Sequence, residues 1–101
     1  MIVLYNLIIS QRAEERIDSL LDYLLEEWGY NVQQRFLDEL IRCFSIIKNN
    51  PYSFPFTQQN HSVRQCVVTP LNKLYYTIIE DDVLVLSLED VRMNPDKSIF
   101  I

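Results

Sequence analysis

The apolar residues of this 101-residue chain change their spacing twice, and no other feature restricts its folds as much. Residues 2–9 are apolar apart from Asn6 and rich in β-branched and aromatic side chains. Ile2, Leu4 and Ile8 fall on one alternating face, and Val3, Tyr5, Leu7 and Ile9 on the other. Two apolar faces predict a strand covered on both sides. From Gln11 to Trp28 the spacing becomes three and four, through Ala13, Ile17, Leu20, Leu21, Leu24 and Trp28, with acids opposite. Ser10 stands where an N-cap belongs. Gly29, the single glycine, stands where a helix end needs a left-handed residue. Asn31 starts a second helical stretch whose stripe is Val32, Phe36, Leu40, Ile41, Phe44 and Ile47, and Asn49-Asn50-Pro51 stops it. So short a connection predicts an antiparallel helical hairpin.

The period then returns to two. Residues 51–62 (PYSFPFTQQNHS) have two prolines and no period, which predicts a long loop. Strands are predicted over 63–69, 73–80 and 83–89, with turns at Pro70-Leu71-Asn72 and Asp81-Asp82. The order is β-α-α-β-β-β. The fold class is therefore α+β, one domain over residues 1–101: a four-stranded sheet with the αα-hairpin packed on one face. A domain this small buries little more than ~60% of its unfolded surface, so its margin is thin and a partner is expected. The apolar end Ile99-Phe100-Ile101 adds to that expectation.

Nine Lys and Arg against fourteen Asp and Glu give a net charge of −5, without the basic excess of a typical nucleic-acid binder. Cys43 and Cys66 form no CxxC pair, and with one histidine they offer no zinc set, so buried free thiols and no metal are expected. No apolar stretch approaches the ~18 residues of a membrane span, and residues 1–9 lack a basic leader and a cleavage site. A soluble, cytoplasmic protein is expected.

The elements that carry a resemblance are Ser10-x-x-Ala13, Trp28-Gly29, Asn50-Pro51, Val63-Arg64, Leu74-Tyr75-Tyr76 and Asp90-x-Arg92-x-Asn94-Pro95. In this order and spacing the chain resembles the RelE/ParE superfamily of bacterial type II toxins, most of all its ParE-like subgroup. The resemblance implies a toxin without cofactors, neutralised by a cognate antitoxin in a hetero-oligomer. An antitoxin segment could cover the sheet face or add a strand to an edge. ParE-like members poison DNA gyrase by protein binding. RelE-like members cleave mRNA on the ribosome.

RelE-type cleavage needs an activated 2′-hydroxyl, cations at the phosphate and an acid for the leaving oxygen. The cations that match are Arg64, Lys73 and Arg92, the candidates if the chain is a nuclease. After Arg92 the tail has Lys97 and Ser98 but neither Tyr nor His, and the single His61 lies in the loop. The missing acid turns the reading from catalysis toward protein binding. The alternatives are a ribosome-dependent mRNA endoribonuclease and an inactive homologue kept for antitoxin binding. Candidates for target or antitoxin contact are Arg64, Lys73, Tyr75, Arg92 and Lys97. Arg64, Lys73 and Arg92 also have a structural reading, as charges that guard sheet edges. Tyr75 and Tyr76 are neighbours on one strand, so one faces the core and the other the open side.

Overall fold

The computed structural model describes residues 5–91. The elements are β1 (Asn6–Ile9), α1 (Gln11–Trp28), α2 (Tyr30–Asn49), a 3₁₀ turn (Pro51–Ser53), β2 (Arg64–Thr69), β3 (Asn72–Ile79) and β4 (Asp82–Asp90). They form one sheet in the order β1-β4-β3-β2. β1 is parallel to β4, and the other neighbours are antiparallel. The order of elements is the one the periodicity predicts. The last turn falls at Glu80-Asp81, one residue early, with Glu80 at φ 56°.

Both helix ends form for the reasons their residues suggest. The Ser10 hydroxyl accepts from the Ala13 N–H at 3.1 Å and donates to the Leu86 carbonyl at 2.9 Å, so the cap also fastens α1 to β4. The Gly29 N–H closes α1 by donating to the carbonyls of Leu24 (3.0 Å) and Leu25 (3.1 Å). Gly29 has φ 91° and ψ 175°, an extended mirror-image conformation nearly exclusive to glycine. Nothing lies within 4 Å of where a Cβ would sit, so the constraint is backbone strain and not space. Gly29→Ala is therefore expected to cost about 1–3 kcal/mol, read as a lower urea midpoint with an unchanged slope.

The core lies between the hairpin and one sheet face. Ala13 and Ile17 of α1 and Phe36, Leu40, Cys43 and Ile47 of α2 meet Cys66, Val68, Leu74, Tyr76, Val83, Val85 and Leu88. The Tyr76 hydroxyl donates to the Pro51 carbonyl at 2.7 Å, tying the sheet to the turn after α2. The 51–62 loop has no period but is pinned. The Thr57 N–H donates to the Val63 carbonyl at 2.8 Å, and Phe56 bridges Arg64.

Three expectations of burial need correction. β1 is an outer strand and is not covered on both sides: Ile8 is 45% exposed on the face away from the helices. Its neighbours Ile2, Val3 and Leu4 lie outside the described residues. Trp28 and Ile41 belong to helical stripes but are 65% and 55% exposed. Around Trp28 the hairpin outruns its sheet, and no residue from 18 to 35 is buried, whereas Ile41 lies beside the buried stripe of Phe36, Leu40, Cys43 and Ile47. Periodicity fixes which side of a helix a residue takes, not whether anything stands opposite. Among the described residues, no helix is long and apolar enough to cross a membrane.

Candidate functional site

The face of the sheet away from the hairpin is built by alternation on β3. Leu74 and Tyr76 turn to the core, and Lys73, Tyr75 and Thr77 turn away from it. Tyr76 is fully buried and Tyr75 is half-buried. The expected division of the tyrosines is present, with Tyr76 as the core residue.

β4 keeps step with β3 only through a bulge. Tyr76 pairs with Val85, but Tyr75 pairs with Ser87, so Leu86 is the extra residue. A slip of one residue exchanges the faces of everything beyond it. Val83 and Val85 point into the core, whereas Ser87 and Glu89 join Tyr75 and Lys73 on the open face, and Leu88 fills the core opposite Leu74. Across the sheet, Glu89 stands opposite Lys73, which stands opposite Val67.

β1 ends at the register of Val85, so α1 begins beside the next part of β4. Two arginines one turn apart on α1 reach Glu89 from there, Arg12 Nη2 at 3.5 Å and Arg16 Nε at 3.7 Å. Arg12 Nε also donates to Ser87 Oγ at 3.4 Å, and the Ser87 hydroxyl donates to the Glu89 carboxylate. Lys73 Nζ donates to Gln65 Oε1 at 3.4 Å. Burial, and then the Glu89 charge, push the Tyr75 phenol up from its ordinary value. The result is a cluster around Glu89 of three cations and a proton-holding phenol, in an otherwise acidic chain. Each exposed ion pair adds little stability alone. Together they fix where the side chains stand. Arg12 and Arg16 were not singled out from the sequence, although they are the only cations among six acids on α1.

Arg64 does not belong to this face. It pairs with Tyr76 on the helix side of β2. Its Nη1 donates to the carbonyls of Phe54 (2.6 Å) and Tyr52 (3.3 Å), and its guanidinium lies 4.0 Å from the Phe56 ring centroid and 5.3 Å from that of Tyr52. It buttresses the 51–62 loop. The candidates Arg92 and Lys97 lie outside the described residues. His61 is exposed in the loop, its ring 6.1 Å from Phe56. Among the described residues no group of three His, Cys, Asp or Glu could hold a metal. Cys43 and Cys66 are free and buried.

A second surface is the distal end of the hairpin. Tyr23, Leu25, Trp28 and Tyr30 are exposed there, beside the acids Asp22, Glu26 and Glu27. Exposed Trp and Tyr in one region are typical of surfaces that anchor a protein partner.

The family described as the ParE toxin of the type II toxin–antitoxin system parDE matches residues 7–95. Among solved structures, the chromosomal ParDE system of P. aeruginosa is similar with a TM-score of 0.74 at 9% identity, over 86% of this chain and 96% of that one. The toxin–antitoxin complex DinJ–YafQ of E. coli gives 0.63 at 10% identity, over 89% and 96%. The YoeB dimer of Staphylococcus aureus gives 0.59 at 12% identity, over 84% and 94%. At such identities these structures speak for the fold. A search of curated proteins gives no significant match.

Proposed function

This chain belongs to the ParE toxin family of type II toxin–antitoxin systems, and on that premise we propose that it acts by binding a protein target, DNA gyrase, through the open face of its sheet. The observation that carries this reading is the state of the cations on that face. Arg12 and Arg16 share the Glu89 carboxylate, and Lys73 is bonded to Gln65. Polar side chains held in a fixed pattern suit recognition of another protein, where charge complementarity steers encounter and sets register. A cognate antitoxin holds the toxin off in a hetero-oligomer. The exposed aromatic end of the hairpin is the surface we assign to that antitoxin, because Trp and Tyr bury large areas at little entropic cost.

The reading is tested by inducing the chain without antitoxin and measuring two things together, gyrase-linked DNA breaks and mRNA integrity. DNA breaks with intact mRNA are the expected result. One observation favours the runner-up, a ribosome-dependent mRNA endoribonuclease: the Tyr75 phenol keeps its proton and lies near Lys73 on the same face. Codon-specific cuts that disappear in Tyr75→Phe would replace the protein-binding reading with that one.

A further inference from the structure

Cys43 on α2 and Cys66 on β2 meet across the interface between hairpin and sheet, where they are 1% and 2% exposed. The Val67 carbonyl accepts from both thiols, with Cys43 Sγ at 3.7 Å and Cys66 Sγ at 3.8 Å. The shared acceptor brings the two thiols to one point of the interface. β2 is an outer strand, and the two thiols supply donors to this part-buried carbonyl. Donating to one carbonyl makes no use of the redox chemistry of the pair, which calls for a separate account.

We propose that Cys43 and Cys66 are a modification site, a dithiol that an oxidant of the peroxide class converts to an intramolecular disulfide joining α2 to β2. Cys43 is the attacking sulfur. Its coupling to the neighbouring Cys66 thiol, and then the charge of Arg42 just before it on α2, lower its thiol from the ordinary value against the effect of burial. The coupling to Cys43, together with burial, pushes Cys66 up. The Cys43 thiolate attacks the peroxide O–O bond, becomes a sulfenic acid and releases one water. The Cys66 sulfur then attacks the sulfenic sulfur, and the S–O bond breaks to release a second water. Two thiol protons and two electrons leave the protein, and one peroxide becomes two waters. Both sulfurs are buried, so the first step waits for a brief opening of the contact between α2 and β2. The bond closes the segment that holds the 51–62 loop and so restricts the unfolded chain.

The test treats the purified, reduced full chain with hydrogen peroxide, with and without urea well below the unfolding midpoint. The expected product is a monomer that has lost two hydrogen atoms by intact mass. Peptide mapping should link Cys43 to Cys66, and neither thiol should react with iodoacetamide after denaturation. Its thermal midpoint should rise, and dithiothreitol should reverse every change. Cys43→Ala and Cys66→Ala should each abolish the mass loss. The peptide map of the unaltered chain decides the matter even where a variant fails to fold. Added oxygen atoms without the cross-link, disulfides between chains, or two thiols still reactive after treatment in urea would each overturn the proposal.

Discussion

Replacing Tyr76 by alanine should remove a large part of the stability of this chain. The side chain is fully buried in the core, opposite Val85 and edge-on to Phe54, and carries the hydrogen bond to Pro51. Truncating a buried aromatic costs about 3–5 kcal/mol. A domain of this size has roughly 5–15 kcal/mol in total. Tyr76→Phe separates the two contributions. It keeps the packing but leaves the Pro51 carbonyl without its donor, for an expected loss of about 1–3 kcal/mol. Chemical denaturation followed by circular dichroism measures both. Equal losses in the two variants would mean that the hydroxyl, not the ring, holds the turn to the sheet.

Arg64 and Lys73 should behave in opposite ways although both are cations of the β half. Arg64→Ala removes charge-assisted hydrogen bonds to two carbonyls and the ring contacts that fix the loop. A loss of about 1.5–3 kcal/mol is expected, with toxicity falling only as the folded fraction falls. Lys73→Ala touches nothing in the core, and its stability should stay within about 0.5 kcal/mol. Toxicity should be lost, because the variant takes a cation from the middle of the proposed binding face. Growth on induction, compared with urea midpoints of the same variants, distinguishes the roles. Full toxicity in folded Lys73→Ala would move the target contact elsewhere.

How much of this could be read from the residues depends on the kind of information they carry. The hairpin was legible because Ala13 to Trp28 and Val32 to Ile47 repeat at helical spacing and Gly29 divides them. The strands were legible by the same logic with a period of two. The bulge at Leu86 was not. Residues 83–86 are Val-Leu-Val-Leu, apolar on both alternating faces, so their pattern carries no parity and a slip leaves no trace. The association of Glu89 with Lys73, Arg12 and Arg16 depends on that slip and was hidden with it. Arg64 begins its strand, and its side of the sheet follows only from its pairing with Tyr76. The exposure of Trp28 depends on where the sheet stops, which a helix's own residues do not encode. The free, buried thiols were anticipated, but their meeting at Val67 required the helix–sheet register.

The parallel pairing of β1 with β4 also says something about how this protein is made. Asn6 is bonded to Asp82 across 76 positions of sequence, whereas β2, β3 and β4 are joined by short turns. Local pairings form fast and distant ones slowly, because the intervening chain must first be brought together. During synthesis the hairpin and then the β2–β3 pair can assemble as they leave the ribosome, but β1 waits beside them for a neighbour that is made after both. The Ser10 bond to Leu86 and the arginine contacts with Glu89 wait with it. A nascent chain shorter than about residue 90 would thus lack the assembled open face. On the proposed mechanism a ribosome stalled before that point releases a harmless fragment, and the interval before closure is time in which an antitoxin already present can engage the exposed hairpin.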